Sequence, residues 1–433
     1  MNRTLPPLGA PPKVTLPPTT DTTLTGGLRI VACRLPSIPL IQAHLAVPVH
    51  LANERELAAL EVLTAALPHK SRAAERLERI GGSLSSSRRG AWLGLSATCP
   101  ASRLPLLGDT LAQTLTSTVQ SLASVDDARD KVIRQAQLAA AQPGMVSQQA
   151  LLRQLYGDVP FPLLPLASPA HLREIEHQDI AAAQHQLVRP QEAMLVIVGD
   201  LDPETAVQML RRQLSSWTPG ARGTQTAATR CPAPAIPTLQ QKQQPGWVQS
   251  HLRLAAPGVD REHPQFPALS VASVVFGGYF SSRLVSVLRE QLGLAYRVES
   301  AFTDHLDRLL IGVEADTATA ATGPALRQLL RELDRFAHEG PTTKEIDAAL
   351  RYMTGVTVLS LASQGGLASA LLSHLMLGQP VDWLVTFTQR LAGVSAAEVR
   401  ETAGMFYSPA RFGGVVVGDL KNFEMSGTDD ENA

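Results

Sequence analysis

What this sequence has little of narrows the field first. It holds three cysteines in 433 residues, Cys33, Cys99 and Cys231, an odd number with no Cys-x-x-Cys among them. That excludes a disulfide framework and a thiolate zinc site, and it suits reduced thiols in the cytoplasm. The formal net charge is −1 and no basic stripe stands out, so nothing draws the chain to nucleic acid or to an anionic membrane surface. No apolar run reaches the roughly 18–20 residues that span a bilayer. The longest candidate, 268–278, has the length of a buried helix. The opening text, MNRTLPPLGAPPKVTLPP, lacks the apolar core of a secretory signal and holds too many prolines for an amphipathic transit helix. The expectation is a cytoplasmic protein with neither nucleic acid nor membrane as a partner.

What is present describes a globular chain, 44% hydrophobic and 18% charged, too long for one ordinary core. Residues 1–24 read as a Pro/Thr-rich lead-in, extended or disordered, and residues 423–433 as an acidic, disordered tail. Between them, 25–216 and 247–422 form two domains, joined by a linker at 217–246 rich in Pro, Thr, Gln and Gly. The first domain opens on two strands, GGLRIVAC and LIQAHLAVPV. A helix over 54–67 carries Leu57, Leu60, Leu63 and Leu67 on one stripe, and a second, 71–80, ends at Gly81-Gly82. An alternating strand, SLSSSRRGAWLGLSAT, is followed by helical text over 102–155 and 171–187, then the buried strand AMLVIVGDLDPE.

After the linker the script repeats. VQSHLRLAAPG echoes IQAHLAVPV, LREQLGLAYRV echoes LERIGGSLSSS, and VVVGDL echoes VIVGDL. The offsets, His44 to His251, Gly82 to Gly293 and Gly199 to Gly418, are 207, 211 and 219 residues and rise in order, as for a duplicated domain with small insertions. Strands mixed with runs of helices give the fold class: α+β, two duplicated domains, each a sheet with helices mainly on one face.

One stretch, 277–298, reads GGYFSSRLVSVLREQLGLAYRV. Two glycines break the chain, two serines offer an N-cap, a helix runs to Gly293, and a strand pattern carrying Tyr296 follows. Taken by itself, Arg289 is an ordinary cation at a helix end, and Tyr296 an ordinary strand aromatic. Arg283 reads as scaffolding near the helix start.

The duplicated halves closing on VGDL, the unit RPQEAMLVIVGDL and the GGYFSSRL…LREQLGLAY stretch resemble the pitrilysin and mitochondrial processing peptidase-like family of zinc peptidases. The resemblance runs from Gly26 to about Lys421. It implies a clam-like chamber for unfolded or short peptides and, on the first helix of a catalytic chain, an inverted zinc motif, H-x-x-E-H. It also implies an Arg and a Tyr seven apart that contact substrate, here Arg289 and Tyr296. A guanidinium and a phenolic O–H are donors suited to the charge that builds on an attacked amide oxygen. The edge strand after Gly81, with Gly82, Ser83, Leu84 and Ser85, is implied to pair with extended substrate. The competing reading of that strand is an edge guarded by charge against aggregation. In the duplicate, Glu78 stands against Arg289 and Ser85 against Tyr296.

The zinc site is missing from the sequence. Its chemistry needs two imidazoles four apart on one helix face with a carboxylate between them. The matching helix, NERELAALEVLTAALP, has no histidine from 51 through 68, and DKVIRQAQLAAAQ at 130–142 has no glutamate to complete a site. His69 has no partner four residues on. His171 and His177, six apart in HLREIEH, lie far round a single helix from each other, and Glu174 reaches one at most. His44 and His251 read as half-buried strand histidines with satisfied rings. This chain is expected to bind no cofactor. The resemblance implies that zinc sits in a homologous H-x-x-E-H subunit, this chain being the non-catalytic partner of a heterodimer, inactive alone. Peptide processing such as leader-peptide removal, or peptide degradation, is the implied duty. A catalytically inert structural or peptide-binding homologue is the alternative.

Overall fold

The first half builds six strands, alternating in burial in β5 and continuously buried in β6: β1 (Thr19–Thr23), β2 (Arg29–Arg34), β3 (Leu40–Pro48), β4 (Ser83–Arg89), β5 (Trp92–Pro100) and β6 (Met194–Gly199). They form one sheet in the order β1-β2-β6-β3-β5-β4, with β6 parallel to β2 and antiparallel to β3. The second half builds β7 (Gln240–Gln243), β8 (Gln249–Pro257), β9 (Arg297–His305), β10 (Arg308–Ala318) and β11 (Gly413–Gly418) in the order β7-β11-β8-β10-β9. Here β7 is parallel to β11. Removing β1 makes the two orders identical, so the duplication read from sequence is a duplication of topology. The structure, a computed structural model, describes residues 14–69, 72–117, 122–218, 231–235 and 238–421. The acidic tail and residues 1–13 of the lead-in lie outside these.

Sheet register refines the internal alignment. His44 and Ser85 both stand opposite Ser96, while His251 and Arg297 both stand opposite Asp316. His44 and His251 are therefore equivalent, as expected. The counterpart of Ser85, however, is Arg297, which leaves Leu84 as the counterpart of Tyr296.

Several elements differ from the sequence reading. Residues 19–23 of the lead-in form β1, paired antiparallel to β2. β7 falls inside the stretch read as linker. The helical text at 102–155 divides into Leu104–Thr116, Leu122–Ala141 and Pro143–Tyr156. The text at 171–187 divides into Pro169–Arg173 and His177–Leu187, because Glu176 and Asp179 form a reciprocal cap that starts a new helix.

Each sheet packs its own helices on one face. In the first half Ile41, Leu45, Leu93 and Leu95 face Leu57, Leu60 and Leu63 of the helix Glu54–Ala66. That helix starts where Asn53 Oδ1 accepts the Glu56 N–H at 2.9 Å. In the second half Leu252, Leu254, Ile311 and Val313 face Leu269, Leu329 and Phe336.

The other face of each sheet is covered by the opposite half. The helix Gln364–Met376 lays Leu367, Ala368, Leu371 and Leu375 on Val31, Cys33, Val196 and Val198 of the first sheet. Reciprocally, Pro143–Tyr156 lays Ala150, Leu151 and Leu155 on Ala255, Leu310, Val415 and Val417 of the second. Among the described residues no single helix is long and apolar enough to cross a membrane. Only together do Thr343–Leu361 and Gln364–Met376, bent 113° apart, reach such a length and apolar content among the described residues. The second of them spends its apolar face on the first sheet.

Candidate functional site

The stretch 277–298 is built by loosening a helix twice. Helix Phe266–Ser273 opens into a wider turn, Val274–Gly278, whose hydrogen bonds span five residues. Gly277 lies against β9 so closely that a Cβ there would sit 2.5 Å from the Ser300 nitrogen. Only glycine allows that approach. A second wide turn, Val285–Gln291, closes with the Leu292 N–H on the Val287 carbonyl at 3.1 Å and the Leu294 N–H on the Leu288 carbonyl at 2.8 Å. Gly293 takes φ +60° at the stop, as its sequence position predicts. The expected serine cap is not made, since buried Ser282 Oγ has no hydrogen-bond partner.

Arg289 thus projects from the last turn of a helix. Its guanidinium lies 5.3 Å over the Phe280 ring, its Nε is 3.5 Å from Glu290, and its side chain is 44% exposed. Tyr296 falls one residue before β9, where its N–H donates to the Asp316 carbonyl at 2.8 Å and its side chain stands out, the residue 64% exposed. Among the described residues no hydrogen bond or ring contact joins the two. The backbone holds both, and their donor groups are presented outward. Arg283 is scaffolding: bidentate to Glu345 at 2.8 and 3.0 Å and 5.0 Å over Phe336.

Beneath Tyr296 lies a charge ladder on the outer face of the second sheet. His251 Nδ1 is 2.7 Å and Arg253 Nη1 2.8 Å from Asp316 Oδ1, and Arg297 bridges Glu314 at 2.9 Å and Glu299. Burial pushes the Asp316 carboxyl up, but the His251 hydrogen bond and the Arg253 charge outweigh it and hold it at about 2. The His251 ring is half satisfied, for its Nε2 is buried without a partner. His44 instead lies 3.4 Å from Ser369 of the helix Gln364–Met376, and burial lowers its pKa.

The first half does not fit zinc. Helix Glu54–Ala66 offers no imidazole, and the neighbouring helix Leu122–Ala141 no glutamate. Among the described residues no three His, Cys, Asp or Glu groups converge. His171 and His177 belong to different helices, and His171 Nδ1 is taken by Ser168 at 2.9 Å and Glu54 at 3.2 Å. The cysteines are buried, and burial lifts Cys99 to about 11, which keeps it a thiol.

β4 is an edge strand, as expected. At its head a Cβ on Gly82 would sit 2.7 Å from both the Thr98 carbonyl and the Leu77 side chain. Leu84 faces inward, while Ser83 and Ser85 are exposed. The edge is less guarded by charge than it reads. Arg88 turns inward, 4% exposed, and meets Glu61 at 2.6 Å. That pair was not visible in sequence, although a glutamate inside a run of Leu and Ala is the sort of signal that marks one.

Residues 174–353 match the family model described as the peptidase M16 inactive domain. An uncharacterized zinc protease of Streptomyces coelicolor is 26% identical over 398 residues, covering 88% of this chain and 86% of the relative. Among solved structures, the peptidase M16 inactive domain from Pseudomonas fluorescens aligns with a TM-score of 0.81 at 18% identity, over 93% of this chain and 98% of that one. A chain of complex III2 from Candida albicans aligns with a TM-score of 0.76 at 14% identity, over 94% and 97%. Two sheets of one topology, each closing on a VGDL strand, thus accompany a likeness to the peptidase M16 inactive domain over residues 174–353 and to an uncharacterized zinc protease over most of the chain.

Proposed function

We propose that this chain is the zinc-less subunit of a heterodimeric zinc metallopeptidase of the cytoplasm. Its partner is a homologous chain carrying H-x-x-E-H, and its substrates are unfolded or short peptides. The carrying observation is a pair of outward donors, Arg289 and Tyr296, fixed by backbone to a helix end and a strand start, in a chain whose first helix has no metal ligand. Amide hydrolysis builds negative charge on the carbonyl oxygen. The Arg289 guanidinium and the Tyr296 O–H donate to that oxygen or to adjacent substrate carbonyls, with little rearrangement to make at the moment of reaction. The metal and its water belong to the partner. The edge of β4 at Gly82, Ser83, Leu84 and Ser85 supports an extended peptide by backbone pairing. The reading takes two domains, 25–216 and 247–422, joined at 217–246, with β1 adding to the sheet of the first and β7 to that of the second. Leader-peptide removal and general peptide degradation both suit such a chamber.

The test is reconstitution with the H-x-x-E-H chain that co-purifies. Alone, this protein should cleave nothing and take up no stoichiometric zinc. In the pair, Arg289→Ala or Tyr296→Phe should lower kcat roughly 100-fold, as loss of one charge-stabilising donor does, with assembly intact by size-exclusion chromatography. Unchanged turnover in both variants would remove the active-site role.

The likeness in fold to a chain of complex III2 carries a second reading, a structural or peptide-binding homologue with no part in catalysis. Co-purification with a membrane complex in place of a soluble H-x-x-E-H chain favours it.

A further inference from the structure

The helix Glu54–Ala66 keeps one carboxylate inside. Glu61 is 8% exposed, and Leu57, Ala58, Leu60 and Val62 around it are wholly buried. A buried carboxylate without a counter-charge is strongly unfavourable. In an H-x-x-E-H helix the residues three before and one after the glutamate are metal-binding imidazoles. Around Glu61 those places hold Ala58 and Val62. The positive charge comes from β4 instead. Arg88 Nε donates to Glu61 Oε1 at 2.6 Å. Its Nη1 donates to the carbonyls of Gly90 at 2.9 Å and Pro162 at 3.4 Å, and its Nη2 to those of Leu164 at 2.7 Å and Pro165 at 2.8 Å. A guanidinium has five N–H groups in a planar fork, so each finds an acceptor. All five acceptors are oxygens, a donor set that suits a guanidinium and ill suits zinc, which prefers imidazole and thiolate.

We propose that the space beside Glu61 is a guanidinium site filled by the chain's own Arg88, a built-in cation that pairs with the buried glutamate. It ties the first helix, the edge strand β4 and the 162–165 loop into one body. The first half is thereby a sealed wall, with no lapsed metal centre waiting to be reloaded.

Chemical rescue tests this on the full-length protein. Arg88→Ala should lower the thermal midpoint by roughly 3–6 °C. Millimolar guanidinium or methylguanidinium should restore most of that loss, while tetramethylammonium, a cation without N–H donors, should restore none. Wild type should gain nothing, and Arg88→Ala combined with Glu61→Gln should lose the rescue. Absence of rescue, or equal rescue in wild type or in the double variant, overturns the proposal. A second measurement holds if Arg88→Ala does not fold: titration of the wild-type chain with zinc alone. No uptake dependent on Glu61 is expected, and one equivalent of bound zinc that disappears in Glu61→Gln overturns the assignment.

Discussion

At the scale of single residues, exposure separates side chains kept for packing from those kept for contact. Phe280 is 66% exposed and still holds the Arg289 guanidinium over its face. An exposed cation–π contact contributes about 0.5–1 kcal/mol. On the proposed reading, Phe280→Leu should therefore reduce turnover of the reconstituted pair roughly two- to fivefold, and Phe280→Tyr should retain it. An equal loss in both variants would point to packing instead of the π face. Arg289 and Tyr296 were legible in sequence because seven residues with a glycine stop between them form a readable pattern. The Phe280 contact was not, since it depends on how the turn at 279–282 folds back. The Glu61 and Arg88 pair was hidden for a similar reason, its members being 27 residues apart on a helix and a strand.

At the scale of elements, two local devices set the geometry of the candidate site. Gly277 lets the loosened helix press on β9, and any Cβ there meets backbone that cannot swing aside. Gly277→Ala should cost about 1–3 kcal/mol, as overpacking does, seen as a lower midpoint in urea unfolding. An unchanged midpoint would mean that helix and strand separate without penalty. The second device is the ladder around Asp316. Its folded carboxyl lies near 2 against an ordinary 3.8, so its stabilising contribution is present above about pH 4 and is lost as pH falls toward 2. Asp316→Asn should therefore lower thermal stability at pH 7 but make little difference near pH 2. A deficit of the same size at both pH values would show that Asp316 acts through shape and not charge. The strands themselves were readable from alternation and the closing VGDL. The break in HLREIEH was missed because the Glu176 and Asp179 cap is as polar as the helix surface around it.

At the scale of the whole molecule, the repeated strand order was foreseeable from three rising offsets. The exchange of covering helices was not. Pro143–Tyr156 lay within undivided helical text and Gln364–Met376 was not singled out, and nothing in the sequence of either helix says which sheet receives it. Leu371 is 1% exposed on the first sheet although it belongs to the second half. Leu371→Ala should cost roughly 2–5 kcal/mol and lower the unfolding of both halves together, with fluorescence and circular dichroism transitions coincident. Two separate transitions, with only the second half affected, would contradict a shared core.

That exchange has a consequence for how such a chain can be divided. Cut between its sheets and expressed as two polypeptides, each piece would present a bare apolar sheet face and carry the helix that its counterpart lacks. The pieces are complements, each completing the other's fold. Gene fission that preserved both would preserve the protein, whereas loss of either would leave the survivor to aggregate or to seek the same helix in another copy of itself.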